Sequence, residues 1–312
     1  MKKILITGGT GFVGANLVRR LVKVGYKPIV LIRKESNLWR LKDIISKIDL
    51  LETDINNYER LKKDINRVSP KYIYHLAVYG AYQGSQKDLN KTLETNIFGT
   101  INLLNAAYNS GIEYFINTGS SSEYGIKNQI MKETDVLNPV NYYGVTKATT
   151  TLMASTFSIQ NKLPIATLRL FSPYGFYEDK DRFVPTLIMA GMKNKEIELS
   201  DPNFVRDFIF IDDVIDAYIY FLDGKKYYGD IFNIGSGKQT SLGNFTKTAE
   251  KVLGKTIKIK WTGHKSNQFE PKKWQADISK AKSKLNWSPK HSMIGGTQKI
   301  YRWYKENYKL YS

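Results

Sequence analysis

Two residues four positions apart, Tyr143 and Lys147, have side chains that could act together on one proton. On a helix this spacing places both on one face, so they can reach the same ligand. A phenol with a pKa near ~10 is a poor base at neutral pH, but a nearby ammonium group stabilises the phenolate. The pair therefore predicts proton transfer at an oxygen atom, although on its own it also fits a surface helix with a solvated lysine.

A serine cluster offers a partner for this chemistry. Ser120, Ser121 and Ser122 follow the apolar run 114–118, which is typical of a β-strand. In an open parallel sheet, ligands bind beyond the carboxyl ends of the strands. We therefore expect Ser120 to hold the reacting oxygen by a hydrogen bond as charge develops there, and Ser121 and Ser122 to contact the substrate.

The N-terminal stretch 4–14 would bind a coenzyme. An apolar run ends in a turn with Gly8, Gly11 and Gly14, and apolar residues at helical spacing follow. Without Cβ atoms the backbone can approach a pyrophosphate, which then lies at the N-terminus of the new helix. Three glycines in such a short stretch also form ordinary turns, but the position after an N-terminal strand favours dinucleotide binding. The predicted contacts are Gly8, Thr10, Gly11, Phe12, Val13 and Gly14.

The end of the second predicted strand, 28–32, bears on which coenzyme binds. NAD enzymes present a carboxylate there to the adenosine ribose, whereas a cation suits the 2′-phosphate of NADP. This chain has Arg33 and Lys34, and a guanidinium can bind phosphate through two hydrogen bonds. We therefore expect NADP(H) to be favoured and NAD(H) to be possible; the alternative is two solvated loop charges. Further coenzyme contacts are expected from Asp54, Ile55, Leu76 and Ala77.

Strand and helix patterns alternate along the first half of the chain. Apolar runs at 48–55, 72–77 and 114–118 are separated by helical patterns at 57–68 and after Leu89. This alternation is typical of a doubly wound parallel sheet, the α/β Rossmann architecture. The predicted domains are a dinucleotide-binding domain at 1–171, to which 208–233 returns, and a smaller C-terminal substrate-binding lobe at 172–207 and 234–312.

The composition argues against several classes of protein. The 312 residues are 42% hydrophobic, and there is no cysteine to form a disulfide or a thiolate ligand. The histidines at 75, 264 and 291 lack ligand spacing, so we expect no metal. No apolar run is long enough to span a bilayer, which predicts a cytoplasmic protein without a membrane partner. The net charge of +18 comes from dispersed lysines, which favours anionic small substrates over nucleic acid.

Together, and in this order, the motifs resemble the extended short-chain dehydrogenase/reductases of the nucleotide-sugar epimerase/dehydratase family. Three downstream stretches add to the likeness: 168–175 resembles the segment that begins to contact the substrate nucleotide, 206–214 the Arg-Asp-Phe…Asp-Asp-Val signature, and 286–289 the Gly-Trp-x-Pro motif. The resemblance implies that Ser120, Tyr143 and Lys147 are catalytic, that Asn96 is the active-site asparagine, and that Tyr143 and Lys147 also contact the coenzyme.

The resemblance implies hydride transfer at C4 of a nucleoside-diphosphate hexose. The 4,6-dehydratases of the family carry an Asp-Glu pair directly after the catalytic threonine; Ser121 and Ser122 stand there in this chain, so dehydration is disfavoured. The stretches 32–34 and 75–80 look more like those of NADPH-dependent 4-ketoreductases of deoxysugar synthesis. The leading interpretation is therefore NADPH-dependent reduction of a nucleotide-linked 4-keto-6-deoxyhexose, and the alternative is an NAD-dependent 4-epimerase similar to UDP-glucose 4-epimerase.

The substrate diphosphate is expected to meet a cation and a hydroxyl. Arg206 suits the phosphates because its guanidinium can bind two oxygens, and the alternative is a structural ion pair with Asp207 or Asp213. Ser172 stands where many relatives place an asparagine on the diphosphate. We therefore expect Ser172 and Arg206 to line the substrate side of the site.

The resemblance also bears on assembly. In relatives, helices near 90–108 and 144–160 pair between subunits, which implies a homodimer. A different class, a dinucleotide-binding sensor or nucleic-acid binder that has lost the chemistry, is disfavoured because Tyr143 and Lys147 are both retained.

Overall fold

The computed structural model describes residues 2–81, 88–263 and 271–311. Seven strands of the described chain form one sheet: Ile4–Thr7 (β1), Ile29–Ile32 (β2), Asp49–Glu52 (β3), Tyr72–His75 (β4), Tyr114–Ser120 (β5), Ile165–Leu170 (β6) and, after four strands that lie outside this sheet, Tyr228–Ile234 (β11). Their order is β11-β6-β5-β4-β1-β2-β3, and β1 to β6 run parallel. The predicted doubly wound α/β architecture is confirmed.

Helices cover both faces because the strands are apolar on both sides. On one face, α2 (Tyr58–Val68), α4 (Gly99–Tyr108) and α5 (Tyr142–Asn161) pack around a core that includes Ile73 and Phe115. These three helices therefore form one layer against the sheet, and α5 carries Tyr143 and Lys147.

The opposite face is covered by α1 (Phe12–Lys23) and the end of α7 (Ile211–Ile219). Tyr74 follows Ile73 in β4 and so points to this other face, where its hydroxyl donates to the Tyr218 carbonyl at 3.2 Å. This buried contact attaches α7 to the middle of the sheet.

The helical stretch before β5 contains an irregular turn. The sequence predicts one helix near 90–108, whereas the structure has α3 (Leu89–Leu93), a π turn at Glu94–Phe98 and then α4. The Gly99 amide donates to the Glu94 carbonyl five residues back. Such turns occur often at functional sites because they reorient one residue of a helix, and this one contains Asn96.

The remaining strands form three short pairs. They are β7 (Ser172–Tyr174) with β10 (Phe208–Phe210), β8 (Ile197–Leu199) with β13 (Ile259–Trp261), and β9 (Val205–Arg206) with β12 (Thr240–Ser241). The helices beside them are α6 (Phe183–Lys193), α8 (Leu242–Leu253), α9 (Ser279–Leu285) and α10 (Met293–Asn307). Aromatic rings form much of their core; the centroids of Phe208 and Phe245 are 4.7 Å apart.

The chain divides into two compact units. The first comprises Met1–Gly125, Asp135–Leu170 and Ile215–Asn233, and the second Ile126–Thr134, Phe171–Val214 and Ile234–Ser312. The predicted division at 171 and 172 differs from these units by 126–134, Phe171 and 208–214, all of which the structure groups with the second unit. The first of these segments is held there by backbone pairing, since the Met131 amide donates to the Gln275 carbonyl at 2.9 Å.

Two expectations from composition concern absences. Among the residues that the structure describes, no helix has the length and apolar character needed to span a bilayer. The same residues contain no group of three His, Asp or Glu side chains placed to hold a metal ion. His264, one of the three histidines, lies outside the described ranges.

Candidate active site

The glycine turn has the close backbone packing that suits a pyrophosphate. Gly8 has a φ of +68°, and a Cβ atom there would lie 2.5 Å from the Ala77 amide nitrogen. A Cβ atom on Gly14 would overlap the Gly8 carbonyl. α1 begins after Gly11 without a side-chain cap, so its first N–H groups could bind an anion. Thr10, Phe12 and Val13 lie around the same helix start.

Cations follow β2, as the sequence shows. Arg33 and Lys34 are exposed at the strand end. Arg40, which sequence reasoning missed, is buried in the 3-10 helix at 39–47. Its Nη1 donates to the Thr10 carbonyl at 3.3 Å, inside the glycine turn. No sequence motif indicates Arg40. It lies beside the glycine turn because the 3-10 helix after β2 packs there.

The other predicted coenzyme residues lie at the ends of β3 and β4. Asp54 is exposed, and its Oδ1 accepts from the Asn56 amide at 2.9 Å. Ile55 and Leu76 are buried. The Ala77 amide donates to Thr7 Oγ1 at 3.1 Å, which ties the end of β4 to the start of the glycine turn.

β5 ends in a tight turn that presents the serines. Ser120 caps a 3-10 turn at Ser121–Glu123: its Oγ accepts from the Ser122 amide at 3.2 Å, and its own amide donates to Glu123 Oε1 at 2.7 Å. Ser120 and Ser121 are buried, and Ser122 is half-buried. The reciprocal arrangement is a capping box, and its Ser-x-x-Glu spacing is the sequence signal by which Glu123 could have been found.

α5 begins directly against this serine turn. Asn141 caps the helix by accepting from the Gly144 amide at 2.8 Å. A Cβ atom at Gly144 would lie 2.6 Å from the Ser122 carbonyl oxygen. The glycine therefore lets the first turn of α5, which contains Tyr143, approach the serines closely.

Lys147 lies one helical turn after Tyr143 and is 5% exposed. Burial lowers the pKa of its ammonium group from 10.5 to about 8, and the nearby Glu123 carboxylate opposes that shift. A cation at this place stabilises a phenolate on the preceding turn, which is the chemistry expected of the Tyr-x-x-x-Lys pair.

Asn96 connects three elements. Its Oδ1 accepts from the Tyr79 amide at 2.7 Å, and its Nδ2 donates to the Tyr79 carbonyl and to Thr146 Oγ1, both at 3.0 Å. Thr146 Oγ1 in turn donates to the Tyr143 carbonyl at 2.9 Å. Asn96 thus joins the loop after β4, the π turn and the start of α5, and these contacts position the helix that carries Tyr143.

A buried hydrogen-bond chain joins the glycine turn to the π turn. His75 Nδ1 lies 2.7 Å from Thr7 Oγ1, and its Nε2 lies 2.8 Å from Thr100 Oγ1. The Thr100 hydroxyl donates to the Asn96 carbonyl at 2.5 Å. Burial lowers the pKa of His75 to about 3, so the ring is neutral. Because the Thr100 proton is already committed, Nε2 carries the ring proton and Nδ1 accepts from Thr7.

The predicted diphosphate residues lie in the second unit. Ser172 begins β7, and its amide donates to the Asp207 carbonyl at 3.0 Å. Arg206 ends β9 half-buried, with its guanidinium 5.6 Å from the ring centroid of Trp274. The Asp207 carboxylate, considered from sequence as a partner of Arg206, accepts from the amides of 236–237 at 2.6 and 3.1 Å.

The first unit brings four predicted residues together: Asn96, Ser120, Tyr143 and Lys147. A hydroxyl donor, a phenol and a buried cation in the unit that also holds the glycine turn can exchange a proton with a substrate hydroxyl while a hydride moves to or from a bound coenzyme.

A family comparison points the same way. The model for the NAD dependent epimerase/dehydratase family matches residues 4–235. A UDP-glucose 4-epimerase from Lactobacillus helveticus is 27% identical over 330 aligned positions, with 99% of both chains covered.

Solved structures with the same fold carry ligands. A UDP-glucuronic acid 4-epimerase from Bacillus cereus, in complex with UDP-glucuronic acid and NAD, is 30% identical, with a TM-score of 0.86 and 97% of this chain and 99% of that one covered. A UDP-glucose 4-epimerase from Thermotoga maritima, with UDP-glucose, is 26% identical, with a TM-score of 0.88 and 98% and 99% covered.

Proposed function

Because the chain belongs to the NAD dependent epimerase/dehydratase family, we propose that it interconverts nucleoside-diphosphate hexoses that differ in configuration at C4. The observation that carries this proposal is the grouping of Ser120, Tyr143 and Lys147 in the unit that also holds the glycine turn. The named relatives, which align along nearly their whole length, are UDP-sugar 4-epimerases, and this supports the epimerase over the reductase favoured from sequence.

The glycine turn and the loop at 33–40 would hold the coenzyme. The turn offers N–H groups at the α1 start for the pyrophosphate, and its close packing leaves the space that a Cβ atom would fill. When bound, the nicotinamide supplies a hydride acceptor and donor. The coenzyme in the Bacillus cereus relative is NAD.

The residues of α5 and β5 would manage the proton. Tyr143, as a phenolate stabilised by Lys147, removes the proton from the substrate 4-hydroxyl as C4 is oxidised to the ketone. Ser120 donates a hydrogen bond to that oxygen. Rotation of the keto sugar in the site would turn the opposite face of C4 toward the hydride that the coenzyme, when bound, would hold. Return of that hydride to C4, with return of the proton from Tyr143 to the 4-oxygen, would complete the inversion.

Dehydration is disfavoured by the serine turn. Loss of water across C5 and C6 needs its own acid and base, whereas Ser121 and Ser122 have no titratable side chain in the useful range. The carboxylate nearest in sequence, Glu123, is fully buried and paired with Arg169 at 2.7 Å, so it is withdrawn from any substrate.

The reductase remains a second candidate because of the cations after β2. Arg33 and Lys34 follow β2, where an NAD enzyme presents a carboxylate, and the buried Arg40 lies beside the glycine turn. These charges favour the 2′-phosphate of NADP(H), the coenzyme of a reductase that releases its product after one hydride transfer.

One assay separates the two. Purified protein is incubated with UDP-glucose, UDP-glucuronic acid or a nucleotide-linked 4-keto-6-deoxyhexose, and the products and coenzyme are followed by chromatography and absorbance. C4 epimers formed without net coenzyme change support the epimerase. Stoichiometric NADPH oxidation with the keto sugar overturns it in favour of the reductase, and no turnover of any nucleotide sugar overturns both.

We further propose that Ser172 and Arg206 contact the substrate diphosphate. Arg206 is half-buried with its guanidinium plane near an aromatic ring, which restrains it for phosphate binding. The cytoplasmic location and the lack of a nucleic-acid partner, both expected from sequence, stay predictions.

A homodimer is supported by the outer face of α5. Val145, Leu152 and Ile159 recur at seven-residue spacing and are 43%, 56% and 65% exposed. Phe98 and Tyr108, on the neighbouring helical stretch, are 59% and 48% exposed. Such a row of exposed apolar side chains marks an interaction surface, and a second copy of the same helix pair would cover it symmetrically.

A further inference from the structure

The carboxylate of Glu123 makes more contacts than a helix cap needs. Its Oε1 accepts from the Ser120 amide at 2.7 Å and from Thr151 Oγ1 at 3.0 Å, and its Oε2 accepts from Arg169 Nε at 2.7 Å. Glu123 is 0% exposed and Arg169 is 1% exposed. A three-residue 3-10 turn is thus tied to both β6 and α5 through one buried carboxylate.

The surrounding chain is built to admit this ion pair. A Cβ atom on Gly119 would lie 2.6 Å from Glu123 Oε1 and 2.9 Å from Arg169 Cγ. Arg169 Nη1 also donates toward the Tyr124 hydroxyl at 3.0 Å, and that hydroxyl donates to Asn233 Oδ1 at 2.7 Å. The Arg169 guanidinium and the Tyr124 hydroxyl next to it therefore both have hydrogen-bond partners inside the protein.

Stability alone is a poor reason for this arrangement. Removing two charges from water is costly, and apolar residues of similar size often replace a buried ion pair without loss of stability. What an apolar pair cannot replace is the acceptor for the Ser120 amide. That contact fixes the backbone from which the Ser120 hydroxyl projects.

We propose that Glu123 is a positioning residue that acts through Ser120: it holds the serine backbone so that the hydroxyl meets the substrate 4-oxygen during proton transfer. This inference rests on the proposed function, since it concerns the same oxygen. Displacement of a catalytic group by about 1 Å can lower a rate by roughly 100-fold, so loss of the acceptor should be visible in kcat.

Two double variants test this without leaving an unpaired buried charge. E123L/R169M removes the acceptor for the Ser120 amide, whereas E123Q/R169M keeps an acceptor and removes the charges. We expect the first to lower kcat by roughly 100-fold with little change in KM, and the second to recover kcat to within about 5-fold of the wild type. E113Q is the matched control, because Glu113 pairs with Lys2 beside the other end of β5, on the surface.

A double-mutant cycle gives the decisive comparison: the effect of E123L/R169M on kcat is measured in the wild type and in S120A. If Glu123 acts through Ser120, E123L/R169M should lower the residual rate of S120A by less than about 3-fold. An equal loss in both backgrounds, or equal losses in the Leu/Met and Gln/Met variants, overturns the proposal.

Folding is followed by thermal unfolding of every variant. Should E123L/R169M not fold, E123Q/R169M decides alone: a kcat near that of the wild type supports the inference, and a large loss at unchanged melting temperature overturns it. A wild-type protein without turnover would instead refute the proposed function, so the two failures are distinguishable.

Discussion

At the scale of single residues, the phenol of Tyr143 is the group whose loss should be felt most in the chemical step. Tyr143→Phe removes the proton acceptor and donor, and we expect kcat to fall by roughly 10²- to 10⁴-fold with nucleotide-sugar affinity nearly unchanged. Steady-state kinetics and calorimetric titration measure the two effects. Tyr142→Phe is the control because Tyr142 is adjacent and 56% exposed. Near-wild-type turnover in the Tyr143 variant would discard the mechanism.

The pH dependence of the reaction should reflect Lys147. Its pKa, lowered by burial to about 8, means that the ammonium is lost as the pH rises through 8 rather than through 10.5. Since the charged form supports the phenolate, kcat/KM should fall above about pH 8. Lys147→Arg, which stays charged, should remove that alkaline limb. Lys162→Arg, at the C-terminus of the same helix, should leave it in place, and an unchanged limb in the Lys147 variant would assign it to another group.

Coenzyme choice is the other residue-scale question. If Arg33 makes a charge-assisted hydrogen bond to a 2′-phosphate, NADP(H) should bind more tightly than NAD(H) by roughly tenfold or more. Arg33→Ala should erase most of that difference and leave NAD(H) affinity almost unchanged; Lys23→Ala, which removes an exposed cation from the end of α1, controls for net charge. Titrations of both coenzymes decide the matter. Equal affinities in the wild type, or a preference that survives the substitution, would favour the NAD-dependent epimerase.

At the scale of elements, the side-chain amide of Asn96 connects the π turn to α5 and to the loop after β4. Asn96→Ala would leave the Tyr79 amide and the Thr146 hydroxyl short of partners, and we expect a loss of about 1–3 kcal/mol in the free energy of unfolding together with a fall in kcat. Urea unfolding measures the first. Asn105→Ala, at an exposed position on α4, should change stability by less than about 0.5 kcal/mol. Equal stability of the two variants would contradict the role assigned to Asn96.

An element could be predicted from the sequence where nearby residues determine it, and was missed where contacts with distant residues determine it. The strands and the glycine turn follow from local apolar runs and spacing, so 72–77 and 114–118 were predicted within two residues of β4 and β5. The π turn has no local pattern, since it depends on hydrogen bonds from Asn96 to other elements. The position of Arg40 beside the glycine turn and the grouping of 126–134 with the second unit were missed, because both depend on contacts with residues distant in sequence.

At the scale of the whole molecule, the exposed face of α5 predicts assembly. Leu152→Glu would place a charge in the middle of the row, and because a two-fold interface contains each residue twice, the loss should be about 3 kcal/mol or more. The dissociation constant of the dimer should then rise by more than about 100-fold. Light scattering across a concentration series measures this. Leu310→Glu, at a C-terminal position that is 45% exposed, is the control, and a wild type that stays monomeric refutes the proposal.

The hydrogen-bond chain through His75 has a consequence for proton traffic. Every donor in it points the same way, from the Ala77 amide through Thr7, the imidazole and Thr100 to the Asn96 carbonyl. A proton wire must be able to reverse its donors, and a chain that starts at a backbone amide and ends at a backbone carbonyl has no group that can load or unload a proton. The imidazole therefore connects the glycine turn to the π turn without conducting protons. Protons exchanged at Tyr143 must travel by another route.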